Sequence, residues 1–508
     1  MIDATHSAIM KRADIEEVPY SDSDYISTHV QLSDVSGASK AKFLPAFFAT
    51  LVVALGPFNF GFALGYSAPV EPKMAETSSK VYLDKGDFSW FASLLGVGAI
   101  AGAFFGGWMI DYFGRKTALM LYSVPFAAGW LLISNATNVP MVFAGRLLTG
   151  VAVGATSLTV PVYIAEISPP VFRGGLGSVN QLAVTLGVLI AYITGTNLSW
   201  ENTALLAVGP VTLLLILMLF MPETPRWLLA NNQRFLALKE LAWLRGNNYD
   251  VEEECFEIES NLDMQEKMTL SEFGQPALLK PLVVGVMMMI FQQLSGVNAI
   301  MFYSTNIFLE AGVQNSSLVS ILVGLAQFLA TAVACLIVDK AGRRILLLIG
   351  GFGMCVCNTG LGLYYDLKKN TNSTSEAKGL ESVQHSIPLE HITWLAIGSA
   401  ILFIVLFSIG WGPLPWLLMS EIFPPRAKGL ASGICTFVNW LFVFLVTKNF
   451  PSMINAFTEQ GTFWFFAGFC LLSFIFVYFY VPETKGRTLE EIEHYFTEGK
   501  FPTEDNTR

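Results

Sequence analysis

The sequence predicts an all-α membrane protein whose twelve transmembrane helices form two pseudo-symmetric six-helix bundles. Three observations carry that reading. Of 508 residues, 14% are charged and 53% hydrophobic, where a soluble protein carries about 25% charged residues. Apolar runs of about 18 or more residues recur along the chain, each long enough to cross a bilayer as a helix. Three charged motifs of the first half return in the second. Asp111-Tyr-Phe-Gly-Arg-Lys116 is echoed by Asp339-Lys-Ala-Gly-Arg-Arg344, Glu166-Ile-Ser-Pro-Pro-Val-Phe-Arg-Gly174 by Glu421-Ile-Phe-Pro-Pro-Arg-Ala-Lys-Gly429, and Pro222-Glu-Thr-Pro-Arg226 by Pro482-Glu-Thr-Lys-Gly-Arg487. A duplicated six-helix unit is the architecture of a rocking secondary transporter with its site between the halves.

Taken in order, residues 1–42 are polar, with acids at Glu16-Glu17, Asp22 and Asp24, and read as a disordered cytosolic tail without a signal peptide. The first bundle occupies 43–221, with spans near 44–66, 88–110, 117–134, 139–163, 176–196 and 203–221. Residues 222–275 form a polar linker with helical patterning from Arg234 to Arg245 and from Val251 to Met268. The second bundle occupies 276–482, with spans near 277–305, 317–338, 345–365, 391–419, 430–450 and 460–481. Residues 483–508 form a second tail.

An even number of spans puts both termini on one side, and the basic residues say which. About 22 of the 30 Lys and Arg fall in the tails, the linker and the loops on the terminal side, and about seven on the other, so the termini are expected in the cytosol. The sequons at Asn135, Asn197, Asn315 and Asn372 all fall on the opposite side. Asn372, in the longest outer loop (about 366–390), is the candidate for glycosylation. The net charge of −10 sits mostly in the tails and the linker and gives no reason to expect nucleic acid. Cys255, Cys335, Cys355, Cys357, Cys435 and Cys470 fall mostly within spans without a framework of spacings, and read as small buried hydrophobes. No metal spacing, nucleophile–base set or cofactor motif appears, so an enzyme is not expected.

The most informative stretch is Gln292-Gln293-Leu294-Ser295-Gly296-Val297-Asn298, deep in the seventh span. Three amides lie where a spanning helix should be apolar. Amides donate and accept hydrogen bonds without charge. Polar side chains at membrane depth face a bundle interior or a water-filled cavity, and such a site suits a neutral polyol. The alternative is that the amides only join helices. Dense glycines in the second span (Gly96, Gly98, Gly102, Gly106, Gly107) permit close helix contact.

The repeated motifs sit at cytosolic helix ends and each carries acid and base: Asp111, Arg115, Glu166 and Arg173 in the first half, Asp339, Arg343, Glu421 and Arg426 in the second. Charge pairs there are expected to close the inner side when the halves meet. Their modest strength suits two states a few kcal/mol apart.

Together, the Gly-Arg-Lys/Arg loops, Pro222-Glu-Thr-Pro-Arg-Trp227, the Gln292–Asn298 stretch and Pro482-Glu-Thr-Lys-Gly-Arg-Thr-Leu-Glu490 resemble the sugar-porter family of the major facilitator superfamily, over about 40–495. The short first outer loop, the longer ninth loop and Gly410-Trp-Gly-Pro-Leu-Pro-Trp416 resemble the third class of animal facilitative hexose transporters. Insect trehalose transporters are similar, so a disaccharide stays open.

The resemblance implies sugar contacts from Gln181, Gln292, Gln293, Asn298, Trp416, Asn439 and Trp440, and an outer-gate role for Tyr303. Gln327 stands where well-known glucose carriers have Asn, and Ser408 where some members have Glu, so sugar preference does not carry over directly. Gly410, Pro413 and Pro415 break the tenth span. Proton-coupled relatives carry an Asp after Phe-Gly-Tyr in the first span. Here the run is Phe60-Gly61-Phe62-Ala63, and no His or carboxylate is expected mid-span, so facilitated diffusion is favoured over symport. That leaves Arg146 of the fourth span needing another partner, a polar neighbour or a backbone carbonyl. The third reading, a non-transporting sugar receptor, usually has a long signalling tail, which the roughly 20 residues after Arg487 do not provide. Membrane lipid and a small sugar are the expected partners. No acidic dileucine stands in the N-terminal tail, and Tyr20 and Tyr25 lack the bulky residue of a tyrosine signal, so the plasma membrane is the expected address, with the endosomal or lysosomal membrane as the alternative.

Overall fold

A computed structural model describes residues 42–246, 249–263, 275–310, 315–377, 389–424, 427–487 and 489–500. The protein is an all-helical multi-pass membrane protein. Apolar helices run Phe43–Met74, Lys85–Phe113, Arg115–Ser134, Val139–Ile167, Arg173–Asn197, Trp200–Met218, Ala277–Leu309, Ser316–Val338, Arg343–Asn370, Thr393–Ile422 and Lys428–Tyr480. The last has 53 residues, on the order of 80 Å at helical rise and far more than one bilayer needs. Thr458, at φ 66 and ψ 169, divides it into two. Among the described residues the count is therefore twelve, numbered here in chain order.

Span 1 departs from expectation. It was expected to end near residue 66, but Ser67–Met74 continues it as helix. The prolines of that stretch disguise it. Pro69 falls in the first turn, where no intrahelical donor is required, and Pro72 is accommodated within the helix. Glu71, expected in a loop, is consequently a helical residue only 9% exposed. Span 9 also continues as helix through Ala377, so Asn372 stands on a helical extension rather than in an open loop.

Small residues set the spacing within the first half. A Cβ on Gly102 would lie 1.9 Å from the Val151 carbonyl, and one on Gly154 would lie 2.0 Å from the Ala99 carbonyl. Spans 2 and 4 therefore touch backbone to backbone, as closely spaced small residues allow.

The halves meet along spans 2 and 11, spans 5 and 8, and the outer parts of spans 1 and 7. The face carrying Lys42, the linker and the C-terminal helix is called the terminal face below, and its opposite the far face. Far-face helix starts are capped by side chains: Asp84 accepts from the Asp87 N–H at 2.7 Å, Asn138 from Met141 at 3.0 Å and Ser199 from Asn202 at 3.3 Å, each relieving an orphan helix donor. On the terminal face the linker forms helices Pro225–Ala230, Arg234–Arg245 and Val251–Asp263. Arg245 ties it to the bundle. Its guanidinium donates to the Ile167 carbonyl at 2.7 Å and pairs with Glu254 at 2.7 Å, while its own carbonyl accepts from Lys42 N–H at 2.9 Å.

Candidate functional site

Span 7 is not one helix. It consists of Pro276–Leu294 and Val297–Glu310, parted at Gly296, whose φ of +87° is one that glycine adopts without steric cost. A Cβ there would also come within 2.6 Å of the Phe466 ring. The break brings the three amides into register. The Asn298 amide donates to Gln293 Oε1. Gln293 Nε2 donates to Gln292 Oε1 at 3.1 Å, and Asn439 Nδ2 of span 11 donates to the same oxygen at 2.7 Å. Gln292 Nε2 then donates to the carbonyls of Trp411 and Gly412 in span 10, at 2.7 and 3.1 Å. Four buried amides thus link three spans.

Span 10 presents those carbonyls because its helix is interrupted. Phe407–Trp411 is wound as a π-helix, and the Gly412 N–H reaches back five residues to the Phe407 carbonyl at 2.7 Å. In a regular helix the Trp411 carbonyl would accept from residue 415, but Pro415 has no N–H. Gln292 supplies the missing donor. Trp411 itself is fully buried, with Nε1 donating to the Leu347 carbonyl at 3.0 Å. Ser408, inside the π-turn, spends its hydroxyl on the Ile404 carbonyl at 2.7 Å.

The other residues singled out from sequence lie on spans 5, 8, 10 and 11. Gln181 on span 5 and Trp416 on span 10 are half-buried. Gln327 on span 8 is buried; its Nε2 lies 3.9 Å from Met301 Sδ, and its Oε1 has no hydrogen-bond partner. Trp440 on span 11 is buried with its ring 5.6 Å from Phe60 of the opposite half and its indole N–H unpartnered. Among the described residues no hydrogen bond joins Gln181, Gln327 or Trp416 to the amide chain. A buried polar atom without a partner is costly, and hydroxyls of a neutral ligand are the chemistry that would relieve Gln327 Oε1 and Trp440 Nε1.

Tyr303 stands one turn beyond Asn298. It packs at 5.9 Å from Phe88 of the opposite half and at 5.1 Å from Phe450, and its hydroxyl donates to the Thr447 carbonyl at 3.2 Å. Nearby, Tyr192 of span 5 donates to the Met301 carbonyl at 2.8 Å, and Asn306 Nδ2 lies 3.4 Å from Glu71 Oε1. These contacts join the halves on the far face. On the terminal face the starts of spans 5 and 11 border open space: Gly174, Gly175, Gly177, Gly429 and Gly433 have nothing within 4 Å of where a Cβ would sit.

The repeated motifs give the same construction twice. Arg115 bonds the Ile110 carbonyl at 3.2 Å and Glu166 at 2.9 Å, while Arg343 bonds the Val338 carbonyl at 3.3 Å and Glu421 at 3.1 Å. Both pairs lie within one half rather than between halves. Asp111 is exposed, and its carbonyl accepts from Trp227 Nε1 at 2.9 Å. Arg173 is exposed. Arg426 lies outside the described residues, as do the side chains of Asp339 and Asn372.

Sequence reasoning missed two carboxylates. Glu223 accepts from the backbone N–H of Arg115 and Lys116 at 3.0 Å each, and Glu483 accepts from Arg343 and Arg344 at 2.9 and 3.1 Å. Each caps the start of a span, where a negative charge meets the helix dipole. The signal was present, since each is the Glu of a repeated Pro-Glu-Thr. Burial pushes the Glu223 carboxyl upward from the usual range, while those N–H bonds and Arg115 pull the other way.

Arg146, fully buried in span 4, finds both kinds of partner that the sequence left open. It donates to the Ala63 carbonyl at 2.8 Å and to Ser67 Oγ at 2.5 Å, and lies 4.9 Å from the Phe91 ring centroid.

Two six-span halves, broken spans in the second, and a polar centre at the junction define a major facilitator transporter. A model described as "Sugar (and other) transporter" matches residues 49–496, and the chain belongs to that family. The mouse facilitated glucose transporter member 8 of solute carrier family 2 is 47% identical over 455 residues, covering 89% of this chain and 94% of that protein. The facilitated trehalose transporter Tret1 of Bombyx mori is 37% identical, covering 89% of this chain and 86% of its own length. Among solved structures, the partially occluded inward-open xylose transporter XylE of E. coli matches with a TM-score of 0.71 and 27% identity over 87% of this chain and 99% of that one. The proton:xylose symporter XylE bound to 6-bromo-6-deoxy-D-glucose matches with a TM-score of 0.71 and 28% identity, over 89% and 99%.

Proposed function

We propose that this protein carries hexose, D-glucose first, down its gradient by alternating access between two states of its halves. The observation that carries the reading is the amide chain of Asn298, Gln293, Gln292 and Asn439, together with the unpartnered Gln327 Oε1 and Trp440 Nε1. Amides and an indole N–H match an uncharged, hydroxyl-rich ring, and the indole adds a flat apolar face. Gln181 and Trp416, half-buried, complete the proposed set.

Uniport is favoured by the surroundings of Arg146. A carbonyl and a hydroxyl hold its guanidinium, and neither exchanges a proton near neutral pH. Tyr303, with Tyr192 and Asn306, is assigned to the far-face gate. The terminal-face motifs, Asp111, Arg115, Glu166, Arg173, Asp339, Arg343, Glu421 and Arg426, are assigned to closing the other side, through contacts between halves formed in a second state, since the pairs seen here, Arg115–Glu166 and Arg343–Glu421, each lie within one half. The basic residues put the terminal face in the cytosol, the plasma membrane is the favoured address, and Asn372 is the candidate glycan site.

The test is uptake of radiolabelled glucose into proteoliposomes with and without an imposed proton gradient. Saturable uptake that equilibrates and ignores the gradient is expected. Accumulation driven by the gradient would overturn uniport, and trehalose competing better than glucose would overturn the hexose assignment.

A further inference from the structure

The break in span 7 leaves a second backbone carbonyl without its helical donor. In a continuous helix the Ser295 carbonyl would accept from the N–H of Ala299. The helix restarts instead with the bond from Ile300 N–H to the Gly296 carbonyl, at 3.1 Å. Ser295 is 1% exposed, so its carbonyl needs another partner.

The donor comes from span 9. Asn358, with no exposed surface, directs Nδ2 at the Ser295 carbonyl at 3.1 Å. The Cys470 thiol of span 12 approaches the same oxygen at 3.9 Å, a weak supplement. The Ser295 hydroxyl turns back to the Gln292 carbonyl at 2.7 Å. An amide from a neighbouring span therefore answers each interruption: Gln292 for span 10 and Asn358 for span 7. Among the described residues no hydrogen bond joins Asn358 to the four linked amides; its Nδ2 is taken by the Ser295 carbonyl and Cys470 Sγ, and its Oδ1 has no hydrogen-bond partner. Its effect is on the Ser295–Val297 turn that brings Asn298 to Gln293 and points Tyr303 at the opposite half.

We propose that Asn358 is a positioning residue for transport, holding span 7 in its broken form so that the amide chain and the far-face gate keep their register. Without that donor the Ser295 carbonyl is satisfied by rewinding toward Ala299, which swings the outer helix of span 7. The cost falls on the movement of the gate rather than on contact with sugar. The inference rests on the transport reading above for its flux readout, and on backbone structure alone for its second readout.

The test compares wild type with Asn358→Leu, similar in bulk but without a donor, in proteoliposomes normalised to folded protein. Maximal glucose flux per folded transporter is expected to fall about tenfold, the equivalent of one buried hydrogen bond, while the half-saturating glucose concentration moves less than about twofold on the same scale. Hydrogen exchange of the backbone over residues 295–300 is expected to change about tenfold. Wild-type flux and exchange in the variant would overturn the proposal. So would half-saturation raised tenfold with maximal flux intact, which would place Asn358 in contact with sugar. If wild type itself carries no glucose, the transport reading fails and the exchange measurement decides the role of Asn358 alone. If Asn358→Leu does not fold, Asn358→Ser, smaller and too short to reach Ser295, takes the same two measurements.

Discussion

Lys448 of span 11 reaches across the far face to Ser89 of span 2, its ammonium 2.7 Å from the hydroxyl and 4.2 Å from the centroid of the Trp90 ring. The contact crosses the two halves where they must separate for sugar to enter from that side. Behind it, the Trp90 and Phe444 rings lie 6.4 Å apart, and a Cβ on Gly96 would sit 3.1 Å from the Phe444 backbone. The seam is close-packed, and Lys448 is its charged clasp.

Removing the clasp should shift the balance of states. A charged hydrogen bond and a cation–π contact at a partly exposed site contribute about 1–2 kcal/mol together, or about five- to thirtyfold in population. Lys448→Ala is expected to raise the fraction open at the far face. The measurement is the rate at which an impermeant thiol reagent labels a cysteine placed at Tyr303. An unchanged rate would show that ring packing alone closes that face.

Gln292 has the most partners of the buried amides, bonding span 10 and span 11 at once. Gln292→Ala removes both ties and orphans the Trp411 carbonyl. With about 1 kcal/mol for each lost bond and more for the orphaned group, sugar flux is expected to fall about 30-fold or more while protein still reaches the membrane. Normal uptake by this variant would remove the amide chain from the site.

Much of this was legible in the sequence, for reasons that differ by element. The spans were readable because a bilayer demands long apolar helices, and the halves because the charged motifs repeat. Span 1 beyond residue 66 was not, since Pro69, Glu71, Pro72 and Lys73 look like a loop until the helix of the opposite half is seen packed against them. The amides of span 7 stood out as polar residues at membrane depth. Their order could not be read: the pairing of Asn298 with Gln293 depends on Gly296, and the bond from Gln292 to Trp411 depends on a π-turn that no local pattern announces. Glu223 and Glu483 lay inside a recognised repeat, yet their caps join segments more than a hundred residues apart in sequence, which periodicity does not reveal.

Among the unpartnered polar atoms, Trp440 Nε1 and Gln327 Oε1 separate donor from shape. Trp440→Phe keeps an aromatic face beside Phe60 and deletes only the N–H. If that N–H meets a sugar hydroxyl, glucose binding weakens by about 1 kcal/mol, or roughly fivefold, with little change in protein stability. Gln327→Asn shortens the other group and is expected to change the ratio of glucose to fructose and galactose uptake. Competition assays on the two variants distinguish these effects, and unaltered affinity in Trp440→Phe would exclude the indole N–H from the site.

Glu223 is expected to matter for stability within its half rather than for a lock between halves, because its partners are the backbone of span 3. Loss of a helix cap costs about 1–2 kcal/mol. Glu223→Ala should therefore lower the thermal unfolding temperature of the purified protein. A change in far-face labelling without any loss of thermal stability would instead assign Glu223 to the transition between states.

Arg146 gives the sharpest test of uniport. Its guanidinium is wholly buried, yet its partners on span 1, the Ala63 carbonyl at 2.8 Å and the Ser67 hydroxyl at 2.5 Å, have no proton to exchange near neutral pH. Uptake by wild type is therefore expected to be flat between about pH 5.5 and 7.5, a range in which an unperturbed histidine would titrate. Ser67→Asp would put a carboxylate where the hydroxyl now meets Arg146. The adjacent cation favours its ionised form while burial opposes it, and protonation as the pH falls would release Arg146. Uptake by that variant is expected to become pH-dependent, where Ser67→Ala, which only orphans a donor, lowers stability and leaves the pH profile flat. A pH-dependent wild type would overturn this account and direct attention to Glu71, the buried carboxylate at the far end of the same span.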